Sequence, residues 1–427
     1  MENIKHILIR NAIVIDCQSK YNNQTKDVLI TDGIIEEISN KINIDSPFLE
    51  IKIPNLHISP GWIDLHCNLC EPGYEHRENI KTGLKSAAKG GFTSVVTRPN
   101  TNPPIDNKAD LQFLINRSIH NIVDIYPTGC ITKNLEGKKI TEMYDMFING
   151  AVAFSDGKRS IENPMIMNIA LDYVKNFNGL IMATAMDENL NKSSQIHEGR
   201  ISTLTGLKPS PEIAEDIRVS RDLAILKYTN SRLHLSTLST SNSIKSIKIA
   251  KQKKLSISAD VAAHQIILSD EDLINFNSNY KVNPPLRDKK TQKALIKSLI
   301  DGTIDAVSSD HSPVENDLKK CAFQDSEPGI IGLQTVFPII NTVLKKHMEI
   351  NNIIKLISTN PRNILKIDSP VIKEQEKANI TLFDPNKKWT FTKNHIESIS
   401  QNTPFINYEF TGKVWGVINK GMVTTNN

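Results

Sequence analysis

The chain has 427 residues, 39% of them hydrophobic and 23% charged, with a net charge of +4. That is enough for one large α/β domain plus a smaller appendage, of ordinary globular composition. The positive excess sits on scattered lysines such as Lys251, Lys253, Lys254, Lys289 and Lys290, read as solvated helix faces. No RRM, helix-turn-helix or zinc-finger pattern accompanies them, which sets nucleic acid aside as a partner.

The five cysteines (Cys17, Cys67, Cys70, Cys130 and Cys321) are too few and too odd in number for a disulfide framework, so a reducing compartment is expected. The opening Met1-Glu2-Asn3-Ile4-Lys5-His6 lacks the apolar core of a signal peptide. No run approaches the roughly 18 apolar residues of a membrane span. A cytoplasmic protein with no membrane partner is expected.

In chain order, residues 7–16, 27–30 and 34–38 read as strands, the last two joined by the turn Thr31-Asp32-Gly33. The C-terminal segment matches them, with strands at 379–383 and 412–418. One small β-sandwich built from both termini (1–57 plus 370–427) is therefore expected to flank a middle segment, 58–369. That middle alternates. Apolar runs at 62–69, 93–98, 121–127, 150–156, 179–185, 231–238, 256–263 and 304–309 read as strands. Helix-period stretches separate them at 78–89, 108–119, 164–177, 211–228, 241–252 and 291–300, with a shorter one near 140–148 and a last at 333–347. Eight β/α alternations predict a (β/α)8 TIM barrel, and no GxGxxG follows an early strand to suggest a dinucleotide fold.

In such a barrel the chemistry gathers at the C-terminal ends of the strands. Those ends carry His66/Asn68/Cys70, Arg98-Pro99-Asn100-Thr101, Asp156, Thr184, Thr237, His264 and Asp310-His311. Alternation places His66, Asn68 and Cys70 on one face and Cys67 on the other. A two-metal hydrolase would use His-x-His here; this chain has His-x-Asn. Cys67-Asn68-Leu69-Cys70 also spells CxxC, but strand parity parts the two sulfurs and no second CxxC exists, so Cys70 reads as a small filler. His234, three residues before Thr237, is expected to point away from the lumen and pack in the core.

Together the segments Pro60-Gly61-Trp62-Ile63-Asp64-Leu65-His66, Glu71-Pro72-Gly73-Tyr74-Glu75-His76 and Pro99-Asn100-Thr101-Asn102-Pro103 resemble class I dihydroorotases of the amidohydrolase superfamily. So do Ala153-Phe154-Ser155-Asp156-Gly157, His197-Glu198-Gly199, Lys281-Val282-Asn283-Pro284-Pro285-Leu286-Arg287, Asp310-His311-Ser312-Pro313 and Asn402-Thr403-Pro404-Phe405. The resemblance implies reversible closure of N-carbamoyl-aspartate to dihydroorotate, a step of pyrimidine synthesis, on a small-molecule substrate. It implies zinc that activates a hydroxide, by lowering the pKa of water from about 15.7 to about 7, and an aspartate at the end of strand 8 that shuttles the proton.

Carried over by position, the metal set falls on His66, Asp156 and Asp310, with Asn68, Thr184 and Thr237 where the family has histidines. A reduced site of His66, Asp156 and Asp310 would meet the three-donor minimum of catalytic zinc, and neither Thr nor Asn is a competent ligand there. Asp310 is the implied general acid/base. Asn100, Asn283 and Gly329 stand at implied substrate contacts, while the family's strand-1 arginine, a partner for the substrate carboxylate, is Cys70, and Val314 replaces a histidine. Three readings follow: a dihydroorotase with a reduced metal site; a dihydroorotase-like subunit without activity that partners aspartate carbamoyltransferase; and a cyclic amidase of altered substrate. A homo-oligomer is expected by the same resemblance.

Overall fold

The computed structural model describes residues 5–426; residues 1–4, the start of the N-terminal stretch read above, and Asn427 lie outside the described residues. Two eight-stranded sheets organise the chain. One is wholly parallel and runs in chain order through Trp62–Cys67, Phe92–Thr97, Asp124–Gly129, Ala153–Phe154, Ile181–Thr184, Leu233–Ser236, Ile257–Ala262 and Ala306–Ser308. These are barrel strands 1 to 8. The ring is nearly closed by a parallel bridge from Cys67 to His311 and by the Asn68 amide, which donates to the His311 carbonyl across 2.9 Å. The predicted (β/α)8 barrel is thus present.

The intervening helices start where short polar side chains can cap them. Asn79 caps Ile80–Lys89, Asn163 caps Pro164–Lys175, Thr240 caps Ser241–Gln252 and Asp288 caps Lys289–Ile300, each accepting from a first-turn amide. The first of them buries Ile80, Gly83, Leu84, Ala87 and Ala88, the spacing of one helical stripe facing the barrel.

The second sheet joins both ends of the chain. Its strands run in the order Met422–Thr425, Glu409–Asn419, Ile380–Thr390, His57–Pro60, His6–Val14, Thr25–Thr31 and Ile34–Ser39, with Leu49–Ile51 also on His6–Val14, so the two ends of the chain meet where Ile380–Thr390 pairs with His57–Pro60. It forms one continuous mixed sheet. Its junction with the barrel is built on Trp62, which is fully buried and packs on Phe337 and Phe383 at centroid distances of 4.7 and 5.5 Å. Gly61 makes the close approach possible. A Cβ there would lie 1.9 Å from the Asn379 side chain and 2.2 Å from Thr93. Among the described residues no helix is long and apolar enough to cross a membrane.

Candidate active site

Barrel strand 1 ends two residues earlier than alternation predicts. The Asn68 side chain accepts from the Cys70 amide at 2.9 Å, and Cys70 takes φ 61°. This turn, in which an asparagine satisfies the amide two residues on, removes Asn68 and Cys70 from the pleat. The expectation that they share the face of His66 is therefore corrected. Cys67 and Cys70 are both free and buried, and burial pushes the Cys70 thiol up to about 12. Neither is poised as a thiolate, consistent with the filler reading.

His66 points into the barrel, where its Nε2 donates to Asp260 Oδ2 at 2.6 Å. The same oxygen accepts from His234 Nε2 at 2.7 Å. These residues stand on strands 1, 7 and 6, and strands 1 and 7 are not neighbours, so the contact crosses the interior. His234 thus faces the lumen, contrary to the outward orientation expected from its separation from Thr237. The reason is local: Thr237 lies beyond the end of strand 6, at φ 52°, and the period-2 count does not continue through it. The other Asp260 oxygen accepts from the Ser308 hydroxyl (2.7 Å) and the Thr237 amide (3.2 Å). Burial alone would raise the Asp260 carboxyl, but His66 and His234 outweigh it and hold it far below the ordinary range. Burial lowers His66 in turn, with Asp260 opposing.

Asp310 lies at the mouth of strand 8, almost wholly buried, with φ 48°. One oxygen accepts from Arg98 Nη2 at 2.8 Å, the other from Lys158 Nζ at 2.7 Å. Lys158 also donates to the Asn283 carbonyl at 2.9 Å. Burial would raise Asp310; Lys158 and then Arg98 more than offset it, and the carboxylate stays ionised. Burial lowers the Lys158 ammonium, with Asp310 opposing. His264 belongs to the same neighbourhood, and burial brings it down to about 4. The Asn100 side chain packs against Gly157, where a Cβ would meet it at 3.2 Å, and its Oδ1 is buried without a partner.

Asp156 is turned elsewhere. Its carboxylate caps the Ile131 and Thr132 amides at 2.8 and 3.0 Å and accepts from the Thr132 hydroxyl, and it lines a cleft with Leu135, Gly137, Arg159 and Ser160. His66, Asp156 and Asp310 are each engaged with different partners. Gly329 donates to the Lys281 carbonyl at 2.9 Å, and a Cβ on it would lie 2.6 Å from the Ser312 carbonyl. Asn283 lines a cavity of about 320 Å³ together with Lys281, Ser210 and Pro328.

Among the described residues the one group of side chains with atoms close enough to hold a metal is His66, His234 and Asp260. Its donor count suits zinc, but the three side chains are 6%, 0% and 0% exposed. Both rings already donate to one Asp260 oxygen, and the other oxygen accepts from Ser308 and the Thr237 amide. The three are thus bound among themselves rather than turned to an open position for water or substrate, as a catalytic metal needs. At the family's other positions, Thr184 Oγ1 donates to the Gly157 carbonyl and Asn68 Oδ1 is spent in its turn. The side chains therefore do not fit the catalytic zinc centre that the resemblance implied.

A nearly closed parallel barrel with polar side chains at its strand ends, joined to a mixed terminal sheet, defines a TIM-barrel protein. Solved structures agree on the fold. An L-hydantoinase (dihydropyrimidinase) from Arthrobacter aurescens is similar with a TM-score of 0.84 at 18% identity, covering 98% of this chain and 96% of that one. A dihydropyrimidinase from Brevibacillus agri gives 0.81 at 21%, covering 99% and 95%.

The sequence is more specific. Residues 56–243 match the family model described as dihydro-orotase-like. The dihydroorotase of Caldicellulosiruptor saccharolyticus is 38% identical over 98% of both chains, and that of Ruminiclostridium cellulolyticum 36% over 93% of this chain and 94% of its own. The chain belongs to the dihydroorotase family of cyclic-amide hydrolases. That family is generally metal-dependent, which makes the donor set of this chain its most consequential departure.

Arg98 stands among the predicted strand ends without an assigned role, His264 stands there as a candidate substitute ligand or acid, and Lys158 is marked only as a neighbour of Asp156. Asp260 is not among the site residues that the sequence predicts. Its one signal is a carboxylate in the middle of the buried strand Ile257–Ala262, a position that demands partners.

Proposed function

We propose that the chain interconverts dihydroorotate and N-carbamoyl-aspartate, the cyclic-amide step of pyrimidine biosynthesis, at the mouth of its barrel. The observation that carries this reading is full-length identity of 35–38% to proteins named dihydroorotase. Opening the ring requires addition of water to the carbonyl, scission of the C–N bond and delivery of a proton to the departing nitrogen. Asp310 is the proposed acid/base, because it is ionised, buried and at the strand-8 position. Lys158 and Arg98, bound to its two oxygens, orient it. Asn100, Asn283 and Gly329 are proposed to contact substrate; His66, Asp156 and Asp310 are the positions the resemblance implies for zinc, and each is bound to other partners here. A cytoplasmic homo-oligomer, divided into 1–57 plus 370–427 and 58–369, completes the proposal.

The test is chromatographic turnover of each compound by purified protein, with and without added zinc. Conversion that disappears in Asp310→Asn supports the reading; no conversion under either condition refutes it.

A second reading is favoured by the engagement of the His66, Asn68, Asp156, Thr184 and Asp310 side chains in internal hydrogen bonds: a dihydroorotase-like subunit without activity that binds aspartate carbamoyltransferase. Co-elution of the two proteins in gel filtration, with no turnover, supports it; separate elution counts against it.

A further inference from the structure

The strand ends at the barrel mouth carry two cations supplied by the chain itself. Arg98 and Lys158 each hold one oxygen of Asp310, at 2.8 and 2.7 Å, so two positive charges meet one negative charge. Arg98 is 5% exposed and its Nε has no partner although buried. An unpaired guanidinium N–H in such a place is costly unless something accepts from it. Asn100 Oδ1 is a second unpartnered atom, set over Gly157 beside Lys158. At the rim, where the resemblance calls for an arginine, the chain has Cys70, whose thiol is held protonated. A cationic partner for a carboxylate is thus missing at position 70 and present at Arg98 and Lys158.

We propose that Arg98 and Lys158 stand in for the family's metal and form the binding site for a small carboxylate ligand, which this protein takes up with no metal. This rests on the proposed function only for the identity of the ligand. A guanidinium past the end of strand 2 and an ammonium past the end of strand 4, both reaching Asp310, give a carboxylate charge-assisted hydrogen bonds, and they occupy the Asp310 oxygens that a metal would need. Asn100 recognises an N–H of the ligand through its free oxygen.

Calorimetric titration of the full chain in excess chelator, with metal content measured, tests this. Dihydroorotate and N-carbamoyl-L-aspartate are compared with dihydrouracil, the same ring without its carboxylate. The carboxylates are expected to bind equally with and without chelator, and dihydrouracil about tenfold or more weaker, the loss of one charge-assisted bond. Lys158→Met is expected to weaken carboxylate binding by at least about the same factor. Circular dichroism checks its fold, and the charge-balanced pair Arg98→Met with Asp310→Asn serves if the single variant unfolds. Binding that requires zinc, equal binding of dihydrouracil, or unchanged binding by both variants overturns the proposal. Metal-free binding of succinate, lost in Lys158→Met, without binding of dihydroorotate would uphold it and refute the dihydroorotase reading. Zinc-dependent turnover of dihydroorotate would do the reverse.

Discussion

His66 reaches past strand 8 to share the Asp260 carboxylate with His234, the two rings lying 5.9 Å apart on either side of one oxygen. Its nearest carboxylate partner is thus on strand 7, not Asp310 on strand 8. His234 has its other nitrogen bonded to Ser258 at 2.9 Å, which fixes the ring.

His234→Ala should therefore remove a ring from a fully buried position and leave Asp260 with one imidazole. Breaking a buried pair costs about 3–5 kcal/mol, and the cavity left by the ring adds to it. Urea unfolding monitored by circular dichroism measures the loss. A change under about 1 kcal/mol would mean the triad contributes little.

Asp64 is expected to make stability fall as pH rises. Burial lifts its carboxyl to about 7, against bonds from Ser309 that lower it, from an unfolded value of 3.8. Between about pH 4 and 7 the folded chain keeps a proton that the unfolded chain has lost, so this group's contribution declines across that window and is flat above it. Asp64→Asn mimics the protonated acid and can still pair with the Ser309 amide and hydroxyl. Its stability relative to the native chain should rise from pH 4 to 7; a parallel pair of pH curves would refute the assignment.

His264 and His197 act with the opposite slope. Burial brings both to about 4 from 6.5. Below pH 6.5 the unfolded chain binds protons that the folded chain refuses, so stability falls as pH drops from about 6.5 to 4. Each contributes roughly 3 kcal/mol over that range, from about 1.4 kcal/mol per pH unit. His264→Gln should flatten the acid limb by about that amount, read as denaturation midpoints at pH 4.5 and 7.

Thiol chemistry gives an inexpensive check on the fold. Cys17 and Cys321 are exposed, whereas Cys67, Cys70 and Cys130 are buried. Burial raises the thiols of all three buried cysteines. Titration of the native protein with an aromatic disulfide should show two fast thiols, with the other three reacting after denaturation. Rapid reaction at Cys70 would indicate that the Asn68 turn opens.

The alternation of apolar runs and helix-period stretches determined the barrel, and the motifs at the strand ends determined the family. Both are local properties: a strand in a parallel barrel is apolar throughout, and a helix carries its own caps and stripe. The loss of three histidine positions was likewise plain in the letters Asn68, Thr184 and Thr237. What the remaining side chains do was settled only in three dimensions. Whether His66 turns toward Asp310 or Asp260, and which cations meet Asp310, depends on charges brought together from strands far apart in sequence. Burial in a medium of low dielectric makes each of those charges seek a partner, and the partners are chosen by the closure of the barrel.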